Sequence, residues 1–234
     1  MKKVLIISIT AIISIIVGLT AGYFIFKEDT SNNVEETLPK PEISDGIRGE
    51  QFGIDQNINE ETIDQYLGRS DSVYRDMRML EDPGNYEAIG GDAYLSGFVE
   101  GFEAIPFPLV VNVTGLPEEV GKTYTGKTLY TLTEDGKYQA NYEESKEILE
   151  YYFPKNKNIF LMCGGGGYAG MMKTMLIELG WDEDKIYNVG GYWYYEGDHN
   201  ISVKKENKDG SISYDFWKVT YHDIDFDLLH EVEK

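Results

Sequence analysis

Apolar positions along the chain fall into three regimes. From Val4 to Phe26 they are unbroken by charge for 23 residues. From Glu28 to about Gly53 they are sparse and show no sustained period. From Ile54 onward, helix-like and strand-like spacings alternate. "NINEETIDQYLG" places Ile63, Tyr66 and Leu67 on one helical face, with Asn57 or Asn59 as the cap. "SVYRDMRM" and "IPFPLVVNV" read as strands, separated by the loop-rich "EDPGNYEAIGGDAYLSGF". "KTLYTLTEDGKYQA" reads as two strands around an Asp135-Gly136 turn. "NYEESKEILEYYF" predicts a helix capped by Asn141, with Ile148, Leu149 and Tyr152 as its apolar stripe.

"NIFLM" then reads as a buried strand, "AGMMKTMLIELG" as a helix closed by Gly180, and "KIYNVGG" as another strand. "ISVKKENKDGSISYDFWKVTY" reads as a terminal hairpin. Strands and helices alternate through the centre, which predicts an α/β fold: a central parallel sheet flanked by helices.

The uncharged run changes the picture at the amino terminus. As a helix rising ~1.5 Å per residue it would cover a bilayer core of ~30 Å. Lys2 and Lys3 precede it, which favours the amino terminus inside and the remainder outside. A cleaved signal peptide is the competing reading, but Leu19 is bulky where a small residue is preferred, and the run continues through "GYFIF". The expected organisation is therefore a single-pass transmembrane anchor over 1–27, a flexible linker over 28–53 and one extracytoplasmic domain over 54–234 at the cell membrane. That domain carries an inserted hairpin at about 114–140 and the C-terminal hairpin.

Charge narrows the partners. The whole chain carries −20; the first 27 residues hold three of the 21 basic residues and none of the 41 acidic ones, which leaves −23 on the remainder. Nucleic acid and anionic lipid should be repelled. One cysteine excludes an internal disulfide, and with His199, His222 and His230 it makes no zinc spacing. No metal and no cofactor are expected.

The single cysteine is also the strongest chemical feature. In "IFLMCGGGGYAGMM", Cys163 follows a buried strand and precedes four glycines and a helix. Open α/β sheets bind ligands at the carboxyl ends of their strands. Loop N–H groups and a helix amino end there stabilise a thiolate, or an anionic adduct on it. Glycines ordered in a loop cost up to ~1 kcal/mol each relative to alanine. Four in a row suit a loop whose N–H groups curl towards one atom. The alternative is a small packing cysteine before a tight turn.

These residues resemble the active loop of the rhodanese-like sulfurtransferase family. A downstream strand followed by Gly-Gly, tryptophan and glycine is matched by "IYNVGGYWYYEG", and upstream Asp76-Met77-Arg78 and "GFVEGFEAIPF" look similar. The likeness covers about Ile63 to Gly197. It implies that Cys163 attacks a small sulfane-sulfur donor, holds the sulfur as a persulfide and passes it to a thiol acceptor. Gly164, Gly165, Gly166, Gly167, Tyr168 and Ala169 would supply the cradle, with Asp76, Arg78 and Trp193 in support. Two readings of Arg78 stay open, a brace for the loop region or a surface salt bridge. Trp193, in the aromatic run Tyr192–Tyr195, could wall the pocket or pack in the core.

The departures are informative. Tyr168 stands where many family members carry arginine, so the loop itself has no cation and dianions such as thiosulfate should bind poorly. The rival class is a non-catalytic module of the same kind that binds an unknown protein partner at the cell surface.

Two further motifs are weaker. "GKTYTGKT", Gly121 to Thr128, fits a phosphate-loop pattern, yet the residues after it alternate like a strand, and the mechanism needs a helix. "NVT" at Asn112 fits a glycosylation acceptor, which matters only in a eukaryotic secretory setting.

Overall fold

A computed structural model describes residues 37–78, 97–112, 127–202, 204–214 and 224–233. The apolar run Val4–Phe26 and most of the phosphate-loop match lie outside them. No helix among the described residues is long and apolar enough to cross a membrane. Leu38–Lys234 forms one compact unit.

In chain order the elements are α1 (Ile47–Phe52), β1 (Ser72–Asp76), β2 (Gly97–Val99), β3 (Glu103–Ala104), α2 (Phe107–Val110) and β4 (Val111–Asn112). Then come β5 (Tyr130–Leu132), β6 (Tyr138–Ala140), α3 (Ser145–Tyr152), β7 (Asn158–Cys163), α4 (Gly167–Glu178) and β8 (Ile186–Gly191). The chain closes with β9 (Asn200–Ser202), β10 (Lys204–Glu206) and β11 (Ile212–Tyr214).

The central sheet has four strands in the order β3-β1-β7-β8, all parallel. Its two faces follow from the two-residue period of a strand. On β7, Ile159, Leu161 and Cys163 face a core that includes Leu149 of α3 and Met172 and Leu176 of α4. Phe160 and Met162 face a second core with Ile58, Ile63 and Phe102. An aromatic ladder crosses that second face. Tyr74, Phe160 and Tyr187 are register partners on β1, β7 and β8, with ring centroids 5.1 and 5.0 Å apart. Such cross-strand pairs fix register as well as burying area.

The smaller sheets pack their buried residues, among them Val111, Tyr130 and Val99, into these same two cores. β5 and β6 form the antiparallel hairpin expected around Asp135-Gly136, with Gly136 at φ +79°, and β4 joins β5 in parallel. The terminal hairpin is β10-β11, and β9 pairs antiparallel with β2.

Local structure departs from the sequence reading in four places. Residues 38–53, expected to be flexible linker, are packed. Pro39 O accepts from Tyr187 Oη at 2.8 Å, Ser44 N–H donates to Ile54 O at 2.8 Å, and α1 closes with Gly53 in the left-handed region. "IPFPLVV" is mostly the short helix α2 rather than a strand. Pro108 cannot donate to a strand ladder, whereas in a first helical turn its missing N–H costs nothing. Asn141 does not cap α3. Its amide donates to Thr128 O at 2.9 Å and accepts from Thr131 Oγ1 at 2.9 Å, so the helix starts later, at Ser145. Finally, "NINEETIDQYLG" forms only a 3₁₀ turn over Ile63–Tyr66, organised by Asn59 Oδ1 accepting from Glu61 N–H.

Candidate functional site

β7 delivers Cys163 to the carboxyl end of the parallel sheet, between β1 and β8. Residues 164–166 turn the chain, and α4 begins at Gly167. The Gly166 N–H lies 3.1 Å from Cys163 Sγ. The Gly165 and Ala169 N–H groups also favour the charged form of the sulfur. One backbone donor therefore bonds the sulfur directly, and two more act on it electrostatically.

The cradle does not win the electrostatic contest. Cys163 is 3% exposed. Burial pushes its thiol above the ordinary value, against the pull of the Ala169, Gly166 and Gly165 N–H groups, and the negative charge of Asp76 adds to the rise. The expectation of a thiolate stabilised at neutral pH is thus corrected: losing water outweighs gaining loop dipoles.

The four glycines serve different ends. Gly166 has φ +104°, a conformation that side chains resist, and it aims its N–H at the sulfur. Gly164 is required by an aromatic neighbour: a Cβ there would lie 2.4 Å from the Trp193 ring. Gly167 opens α4 against the Phe52 ring, where a Cβ would make ordinary contact. Packing explains part of the run, and of the four only Gly166 donates a hydrogen bond to the sulfur.

Trp193 lies over the loop from outside. Its N–H donates to Gly164 O at 3.1 Å, and the residue is 41% exposed. It is neither core nor free surface. The preceding Gly190-Gly191 pair belongs to the close approach of β8: a Cβ on Gly191 would sit 2.1 Å from Gly164 O. A register shift between β7 and β8 opposite Leu161/Met162 brings Gly191 level with Cys163.

Asp76 and Arg78 are both buried and pair with each other. Arg78 Nε lies 2.9 Å from both carboxylate oxygens, and Arg78 Nη2 donates to Gly97 O at 2.9 Å. The guanidinium carbon stands 4.3 Å from the Tyr192 ring centroid and 5.3 Å from that of Phe98. The arginine is thus a buried brace between β1, β2 and the chain just after β8, and not a surface salt bridge. Tyr168 turns its ring onto Phe107 with centroids 5.7 Å apart, and burial raises its hydroxyl pKa.

Three contributors were missed in the sequence because two of them sit in or near the presumed linker. Arg48 on α1 donates from Nη2 to Gly165 O at 3.3 Å and from Nη1 to Glu60 at 2.7 Å. Its guanidinium lies 3.5 Å from the Tyr194 ring centroid. The buried Glu60 also accepts the Gly191 N–H at 3.2 Å. Asn188, fully buried on β8, donates to Phe52 O at 2.8 Å and Gly166 O at 3.1 Å and accepts from Gly190 N–H at 3.0 Å. Gly53, a residue type that closes helices, is the sequence signal for structure in the residues before it. A cation therefore does reach the loop, from α1 and not from the loop's own sequence.

The phosphate-loop match ends in a strand. Thr128 is buried and donates to Tyr130 O at 2.9 Å, and β5 follows it. Among the described residues, no group of three or more His, Cys, Asp or Glu could hold a metal ion.

No protein-family profile matches the chain, and no curated protein or solved structure matches it significantly.

Proposed function

We propose that this chain is a rhodanese-like sulfurtransferase that carries sulfane sulfur as a persulfide on Cys163. The observation that carries the reading is the Gly166 N–H held 3.1 Å from Sγ at the carboxyl end of a central parallel strand, with the Gly165 and Ala169 N–H groups also favouring charge on the sulfur. Donors held in that position favour charge on sulfur, and would favour it again on a terminal persulfide sulfur.

The chemistry balances without a cofactor. The Cys163 thiol loses its proton to solvent, and the thiolate attacks the outer sulfur of a donor R–S–S⁻. A new S–S bond forms to Cys163, the donor's S–S bond breaks, and the electron pair leaves with R–S⁻. An acceptor thiolate then attacks the outer sulfur of the Cys163 persulfide and releases the Cys163 thiolate. In this reading Val4–Phe26 holds the acidic domain on the outer face of the cell membrane as a single-pass anchor, and nucleic acid is no partner.

A second reading has its own support. The near-complete burial of Cys163 and the Trp193 indole laid against Gly164 suit a non-catalytic module that binds a protein partner. Intact-mass analysis of the purified protein after exposure to a sulfane donor separates the two. Gain of one sulfur atom, absent in Cys163→Ser, supports transfer; no gain supports the binding module.

A further inference from the structure

A trans peptide points its C=O and its N–H in opposite directions. All described peptides here are trans. The peptide between Gly165 and Gly166 therefore has one side for Cys163 and one for whatever holds its oxygen. The N–H side meets Cys163 Sγ at 3.1 Å, and the C=O side meets Arg48 Nη2 at 3.3 Å. In the preceding peptide, Gly164 O is held by the Trp193 N–H, and the Gly165 N–H favours charge on the sulfur.

Arg48 is itself fixed from three directions. Glu60 takes Nη1, Gly165 O takes Nη2, and the Tyr194 ring covers the guanidinium face. Its Nε is buried with no hydrogen-bond partner among the described residues. A side chain that keeps its place while leaving a buried donor unmade is held by its other contacts. Glu60 in turn is tied to Gly191 N–H, so the clamp is anchored on β8.

A glycine-rich loop has little stiffness of its own. Without an outside hold on its oxygen, the 165–166 peptide is free to flip and point its carbonyl at the sulfur. We infer that Arg48, by holding the Gly165 carbonyl outward, is a positioning residue that aims the Gly166 N–H at Cys163. The inference rests on reading Cys163 as the reacting group of the proposed transfer site. It assigns a role to the stretch before Ile54: α1 completes a loop that cannot orient itself.

The other charged or titratable groups around the sulfur lie on different elements. Asp76 faces it from β1, itself held by Arg78, and Tyr168 lies beside it on α4, while Glu60 stands behind Arg48. Only Arg48 acts through the orientation of a peptide.

The test is the thiolate titration of Cys163, with no sulfur donor present. It is read as the ultraviolet absorbance difference between each protein and its own Cys163→Ser counterpart. Arg48→Met should raise the midpoint by about one pH unit, the worth of a hydrogen bond to a charged group. Arg48→Lys keeps the charge beside Glu60 but lacks the planar fork that reaches both partners. It should therefore rise as well, and it carries the test alone if Arg48→Met does not fold. A wild-type midpoint in Arg48→Met would overturn the inference. Recovery of the wild-type midpoint in Arg48→Lys would also overturn it, because charge alone would then suffice. Failure of wild type to accept sulfur, with the midpoint shifts present, would count against transfer and leave the clamp standing.

Discussion

Trp193 lies across Gly164 so closely that a single added Cβ would sit 2.4 Å from the indole ring. The contact joins the start of the cysteine loop to the residues just after β8. Cys163, next to Gly164, is 3% exposed, so a reagent reaches it only when the loop opens. In the native protein, alkylation at neutral pH should be slow. Trp193→Ala should accelerate it severalfold while the thermal melt stays cooperative. Equal rates in the two proteins would show that the reagent enters by another route.

The same contact makes an energetic prediction. Gly164→Ala should destabilise the domain by ~1–3 kcal/mol, the usual cost of overpacking. In a Trp193→Ala background the same change should cost much less, because the clashing atoms are gone. Denaturant unfolding of the four proteins in a double-mutant cycle measures the coupling. Additive effects would contradict the geometry.

Asp76 and Arg78 should behave as a buried pair. Arg78→Met leaves the Asp76 carboxylate in the core without its counter-charge, and removing one partner of such a pair costs ~3–5 kcal/mol. Urea unfolding should show this loss. A cost within error of zero would place the pair in solvent, contrary to its burial.

Stability should fall with alkalinity, and the sign follows from the raised thiol. The unfolded cysteine ionises near its ordinary pKa of ~8.5, before the buried one does. Above that pH the unfolded state is favoured, so the contribution is present below it and is lost as pH rises towards the folded value. Cys163→Ser should flatten the stability profile above about pH 8.5. Tyr130 and Tyr187, both pushed up to about 12 by burial, add their own decline only at higher pH. An unchanged profile in Cys163→Ser would mean that the thiol is not the group involved.

Much of the fold was legible because its signals are local. The unbroken "NIFLM" run before a cysteine and glycines reads as a buried strand ending at a turn, and β7 with α4 matches it. Asp135-Gly136 between alternating segments reads as a hairpin for the same reason. What stayed hidden depends on partners distant in sequence. Arg48 sits in a polar stretch with no periodicity, and only its contacts with Gly165, Glu60 and Tyr194 give it meaning. Asn141 has a good capping identity, but Thr128 and Thr131 of the neighbouring hairpin take its amide. The acidity of Cys163 departs from the sequence reading because loop dipoles can be read from "CGGGG", whereas burial in the surrounding core cannot.

The most direct measurement is the mass of the intact protein after incubation with a persulfide donor. The account predicts one added sulfur atom, removed by an excess of small thiol or cyanide and absent from Cys163→Ser. An unchanged mass in the wild type and also in Trp193→Ala, where the indole is gone from the loop, would contradict the claim that Cys163 carries sulfur.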